Sequence, residues 1–413
     1  MADHRPDVDM ELFPWHLGVY DAHCHATDIM SSIDKIPAMK AAGLAIMATR
    51  AQDQDLVAQV ADKLGFEDYE SSKVGTSEQR IVPCFGWHPW FSHQIYDDSS
   101  DGSTQPKGDT AWKHDHYQDV LVPRPEELAF LEVLPEPRPL LDLIAKTRKY
   151  LEKYPLALVG EIGLDKAFCL PTAWTPEKLK ERDTSLTPGG REGRLLSPYR
   201  VSIAHQKKVL KAQLDLAAEM QRAVSVHSVQ AHGLTLEVLQ ETWRGYEKQV
   251  ISKRSLKRRV ATGQASDAGS SNVTMVGSED KGPKPYPPRI CLHSYSGTLE
   301  AMRDYFAPSV PADIYFSFST VVNFSTSSNK AIEVVKKVPE DQLLIESDLH
   351  HAGERMDGYL EEITRLICGI RGWTLEEGVT KLARNWRRFI FGQDDLSASF
   401  CSDETTSTMK FIL

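Results

Sequence analysis

Residues Leu17–His25 read LGVYDAHCH, a short apolar run that stops abruptly in acidic and imidazole side chains. The pattern recurs in Gly43–Thr49 (GLAIMAT), Ile81–Phe85 (IVPCF), Ala157–Ile162 (ALVGEI) and Ala223–His227 (AVSVH). It returns in Ile290–His293 (ICLH), Ile314–Phe318 (IYFSF) and Leu343–Glu346 (LLIE). Short runs of this kind suit parallel strands covered on both faces. Helical patterns separate several of them. His205–Met220 carries Val209, Leu210, Leu214, Leu216 and Ala217 at helical spacing, with Lys207, Lys208 and Lys211 on the other side. Leu360–Ile370 and Thr374–Trp386 read as two more helices. Eight such runs with crossovers are the count of a (β/α)8 TIM barrel; the rival arrangement is a doubly wound open sheet.

Three segments interrupt the rhythm and read as loop insertions: 96–116, 169–200 and 261–288. The third is nearly free of large apolar residues and is expected to be disordered, as is the tail 393–413. Residues 1–16 form an N-terminal extension, which leaves 17–392 as a single barrel domain. Of 413 residues, 41% are hydrophobic and 26% charged, which excludes a wholly disordered, collagen-like or membrane-embedded chain. The net charge of −10 excludes a basic coat for nucleic acid but not a local basic groove. No apolar stretch reaches the ~18 residues of a membrane span. Six scattered Cys without a C-x-x-C pair suit reduced thiols inside a cell, in cytoplasm or nucleus.

The run ends carry the chemistry. His23 and His25 are two apart, so a strand points both to one side, as a pair of metal ligands requires. A chance H-x-H with one satisfied core histidine is the bland alternative. It weakens as the other ends are added: His88 in GWHPW, Glu161 in GEIGLD, His227-Ser228, His293-Ser294 and Glu346-Ser347-Asp348. In a barrel these ends meet at the C-terminal face of the strands. Four histidines (His23, His25, His227, His293) with Glu161 and Asp348 then suit two divalent ions. Glu161 is the bridge, because one carboxylate offers two oxygens, and Asp348 is the general base. A mixed nitrogen and oxygen shell admits Zn, Mg or Mn and does not select among them.

DAHCHATD, FGWHPW, ALVGEIGLDK, VSVHS, LHSYSGT and LLIESD stand in the order found in the TatD family of metal-dependent deoxyribonucleases, which this chain resembles from about Tyr20 to Gly392. Asn385 in ARNWRRFIFG resembles that family's C-terminal helix signature. The resemblance implies a TIM barrel and phosphodiester hydrolysis of DNA. It implies His23 and His25 on one ion, His227 and His293 on the other, Glu161 between them and Asp348 activating water. It places His88 near the scissile phosphate. The long insertions resemble a fungal branch whose members are described as partners of a cell-cycle ubiquitin-ligase subunit.

The rim departs from the family. Val229 and Gln230 stand where an arginine and an acid are usual, Leu349-His350-His351 follow Asp348, and Lys166 replaces an aromatic residue. Lys166 is a candidate phosphate ligand or a solvated rim lysine. Trp87 and Trp90 are candidates for stacking on a base, or for packing. Cys24, Cys84 and Cys291 lie in strands, and Cys24 should face the helices as a small apolar residue. The basic run Lys248–Arg259 reads as a nuclear-localisation signal, a phosphate-tracking patch or a solvated helix end. The leading expectation is a two-metal nuclease. The alternatives are a hydrolase of a small amide or ester, and a barrel that binds a protein partner through its insertions.

Overall fold

The structure, a computed structural model, describes residues 12–73, 78–99, 110–250, 283–326 and 329–392. Eight parallel strands form the centre: β1 (Tyr20–Cys24), β2 (Gly43–Ala48), β3 (Ile81–Phe85), β4 (Val159–Asp165), β5 (Val224–Val229), β6 (Arg289–Leu292), β7 (Asp313–Phe318) and β8 (Leu343–Ile345). They pair in chain order, β1-β2-β3 and β4-β5-β6-β7-β8. Backbone hydrogen bonds join the halves at both junctions. Phe85 N–H donates to Leu158 O at 3.0 Å beside β3, and Asp348 N–H donates to His23 O at 3.1 Å between the β8 end and β1. This is the TIM barrel that the eight apolar runs imply. The first strand starts later than its run, at Tyr20. Leu17 belongs to a 3-10 turn over Trp15–Leu17, and Gly18 ends that turn at φ 89°.

The outer layer holds α1 (Ala51–Leu64), α2 (Leu140–Lys153), α3 (Ile203–Glu219), α4 (His232–Trp243), α5 (Leu299–Tyr305), α6 (Lys330–Lys337), α7 (Glu354–Arg371) and α8 (Leu375–Phe391). A 3-10 segment, Met30–Ala38, fills the β1–β2 crossover. Local chemistry sets the ends. Ser202 caps α3 by accepting from His205 N–H, and Thr374 with Glu377 forms a capping box on α8. The last helix also seals the barrel floor. Trp386 stacks on Tyr20 with centroids 4.5 Å apart, and Asn385 Nδ2 donates to Leu343 O at 2.9 Å.

The first two insertions are more ordered than their composition suggests. Thr110–Val120 is a helix, and Leu121–Val122 pairs antiparallel with Arg200–Val201. Tyr117, Leu121, Phe130 and Leu131, which follow the first insertion, pack with Leu170 and Tyr199 of the second and with Val201 in a small core of their own. Most of the third insertion and of the basic run Lys248–Arg259, and the whole of the tail, lie outside the described residues. Phe13 and Trp15 of the N-terminal extension pack against the main core. No helix of the described residues is long and apolar enough to cross a membrane.

Candidate metal centre

Strand alternation delivers the polar residues to one end of the barrel. Glu161, in the middle of β4, sits at the centre of the cluster. Its Oε2 lies 3.5 Å from His23 Nε2 and 3.3 Å from His25 Nε2. Its Oε1 lies 2.9 Å from His227 Nδ1, 2.8 Å from His293 Nε2 and 3.0 Å from His88 Nε2. One carboxylate therefore faces two histidine pairs through different oxygens. Asp348 Oδ1 stands 3.6 Å from His25 Nε2 and 3.9 Å from His23 Nε2.

Hydrogen bonds on the far side of two of the rings, His23 and His227, decide which nitrogen faces inward. His23 Nδ1 is 2.8 Å from Ser225 Oγ, which leaves His23 Nε2 buried without a hydrogen-bond partner. His227 Nε2 is 3.0 Å from Asp165 Oδ2, so Nδ1 turns its lone pair to the centre. His227 Nδ1 and His293 Nε2 are 3.2 Å apart, two ring nitrogens crowded on one point. A buried orphan nitrogen, convergent imidazoles and two carboxylates are a donor set that could hold divalent metal. Among the groups that could each hold a metal ion, with ligand atoms within 4.8 Å of one another, are His23 with His25 and Glu161, and His23 with His293 and Asp348.

His88 differs from these. Its Nδ1 accepts from Trp90 N–H at 3.1 Å, so the neutral ring carries its proton on Nε2 and donates into the site. Burial pushes its pKa down to about 4, which keeps the ring neutral at pH 7. Burial works to raise the Glu161 carboxyl, but the imidazoles of His88, His293 and His23 hold it well below its ordinary value. Burial likewise opposes ionisation of Asp165, and the hydrogen bond with His227 reverses the effect.

Backbone strain concentrates at the same rim. Gln230, Ser294 and Asp348 have φ of 52°, 40° and 53°, left-handed values that cost free energy outside glycine and gather at functional sites. Gly163 is required between β4 and β5, because a Cβ there would sit 2.0 Å from His227 O.

Above the centre opens a cavity of about 440 Å³. Trp90, Phe91, Phe168, Pro171 and Val229 supply its apolar wall; Arg50, Arg191 and His350 line its polar side. Trp90 stacks on Phe168 with centroids 4.2 Å apart. Trp87 is not at the cavity: it is buried with Ile95, Leu140, Leu143 and Val209, and its Nε1 donates to Phe91 O. Lys166 is exposed and outside the lining, because its backbone N–H continues the β4–β5 ladder to Val229 O while its side chain points to solvent. His350 bonds Asp28 Oδ2 at 2.8 Å and stacks on His25 at 5.0 Å. Asp165, Ser225 and Glu346, which orient or face the ligand rings, were not singled out from sequence. Asp165 had a signal: it lies four residues after Glu161 in one strand, hence on the same face.

A barrel that gathers imidazoles around a central glutamate at its C-terminal mouth defines a metal-dependent hydrolase. The chain belongs to the TatD related DNase family, which matches residues 20–391. It is 36% identical over 372 residues to the Cut9-interacting protein scn1 of Schizosaccharomyces pombe, covering 90% of this chain and 98% of that protein. It is 27% identical over 277 residues to an uncharacterized deoxyribonuclease of Saccharomyces cerevisiae, covering 66% of this chain and 67% of that one. The crystal structure of an uncharacterized amidohydrolase from Saccharomyces cerevisiae shares the fold, with TM-score 0.51, 12% identity, and coverage of 90% of this chain and 99% of that one.

Proposed function

We propose that the protein hydrolyses phosphodiester bonds in DNA at a two-metal centre. The observation that carries this reading is the division of Glu161, with Oε2 toward His23 and His25 and Oε1 toward His227 and His293. When bound, two divalent ions supply positive charge that polarises a phosphoryl oxygen and acidifies water. Glu161 sets the spacing of the two halves. Asp348 is the general base: its side chain is more accessible than that of Glu161, and it stands on the His23–His25 side. It takes a proton from the attacking water as the water oxygen bonds to phosphorus and the P–O bond to the leaving oxygen breaks; that oxygen then takes a proton from solvent and leaves as the alcohol. His88, neutral and with Nε2–H turned inward, donates to a non-bridging phosphoryl oxygen.

The test is degradation of end-labelled single- and double-stranded DNA with added Mg²⁺, Mn²⁺ or Zn²⁺. Metal-dependent cleavage should vanish in Asp348→Ala while the fold persists. Absence of cleavage with every ion, beside turnover of a small amide or ester, would replace this reading with the small-molecule one, which the apolar Val229 wall favours.

A second role rests on likeness to scn1 along nearly its whole length. We propose that this chain also binds a protein of the Cut9 kind. Co-purification of the two purified proteins tests it, and failure to associate at micromolar concentration removes it.

A further inference from the structure

We infer that the second insertion gives the site its cation for substrate, Arg191, and that this guanidinium holds the phosphate next to the scissile one in a nucleic-acid strand. The inference takes the identity of the ligand, though not its turnover, from the phosphodiester reading.

The charges around the cavity can be assigned one by one. Arg50 spends all five N–H groups within the protein: Nε on Pro188 O, Nη1 on Thr49 Oγ1 and Asp53 Oδ2, and Nη2 on Thr187 O and Asp28 Oδ1. It is a clamp that ties the Thr187–Pro188 backbone to the barrel mouth. Both oxygens of Asp28 are engaged, one by Arg50 and the other by His350. Glu161 and Asp348 belong to the metal centre. Arg191 remains. Its Nε donates to Arg194 O at 3.0 Å, and Arg194 Nε answers to Arg191 O at 3.1 Å. Its Nη atoms have no hydrogen bond, and its guanidinium no ion pair, among the described residues.

The turn that carries Arg191 is held firmly. Thr187 Oγ1 donates to Thr27 O at 2.8 Å, and Arg194 reaches Gly190 O at 2.6 Å and Thr172 O at 3.2 Å. A positioned guanidinium with open donors beside a metal centre is a phosphate ligand in waiting. Bound divalent ions would neutralise the scissile phosphate, so a cation on the rim would serve its neighbour along the strand. The Trp90–Phe168 stack beside it offers a flat face to a base.

Fluorescence anisotropy of a labelled, cleavage-resistant phosphorothioate single strand, in Mn²⁺ over a salt series, tests this directly. Arg191→Gln should weaken binding severalfold and lower the slope of log K against log salt by about 0.7, one single-strand phosphate contact. Arg191→Lys should keep the slope. Lys180→Gln, which removes the same charge from the same insertion outside the cavity, should change neither. Equal losses in Arg191→Gln and Lys180→Gln, or no strand binding by the unaltered protein, would overturn the inference. Arg191-dependent binding without cleavage of any diester would uphold it and sink the proposed hydrolysis instead.

Discussion

Asp165 Oδ2 lies 3.0 Å from His227 Nε2, and the bond turns the other ring nitrogen toward Glu161. Trp90 Nε1 donates to the same oxygen at 2.6 Å. The carboxylate therefore fixes both a ligand ring and an aromatic wall of the cavity. Asp165→Asn should lower metal affinity or activity by about 10–100-fold, as loss of a ligand-orienting carboxylate does. Titration calorimetry with Mn²⁺ or Zn²⁺, with circular dichroism to confirm folding, measures it. Unchanged metal binding would show that His227 is oriented by other contacts.

Gly163 faces His227 across the β4–β5 ladder, and a methyl group at this position meets backbone, which cannot yield. Gly163→Ala should destabilise the protein by roughly 1–3 kcal/mol, the cost of overpacking, and disturb His227 as well. Urea unfolding gives the first number, and metal titration the second effect.

The two tryptophans of GWHPW should respond in opposite ways. Trp87 is buried among Leu140, Leu143 and Val209, so Trp87→Ala should cost about 3–5 kcal/mol of stability. Trp90 lines the cavity, so Trp90→Ala should weaken substrate binding with a smaller loss of stability. Denaturant midpoints beside KM values separate the two; equal stability losses would contradict the placement.

Acid should weaken the fold through histidines remote from the centre. Burial pushes His93 down to about 3 and His205 down to about 4, while the unfolded chain titrates near 6.5. Between these values the unfolded state binds more protons, so stability is full above pH 6.5 and falls as pH drops toward 4. Urea midpoints from pH 7.5 to 4.5 should show the decline. Replacing His205, whose Nε2 bonds Ser92 O at 2.9 Å, with Gln should flatten it.

The fold and the ligand types were legible along the chain because a barrel strand is local: a few apolar residues and a polar end. Five of the six ligand-type residues stand at or near those ends, with Glu161 inside its strand, and the period of two put His23 and His25 on one side without any knowledge of what lay opposite. Other features depend on contacts between distant segments, which no local pattern encodes. Trp87 and Trp90 stand three apart in one motif, yet the 3-10 turn Pro89–Gln94 sends one to the core and the other to the cavity. Lys166 follows a strand end and Arg191 lies within a loop insertion, and both are basic. Only Arg191 is carried over the mouth, because Arg50, 138 positions before Pro188, anchors the turn before it. Asp165 acts on His227 from 62 positions away, across a strand pair. The barrel strands and the side-chain chemistry near their ends follow from residue type and short spacing. The tertiary structure decided which nitrogen each ring offers, which aromatic side chain meets the cavity and which cation remains open to a substrate, since those depend on hydrogen bonds and packing between segments far apart in the chain.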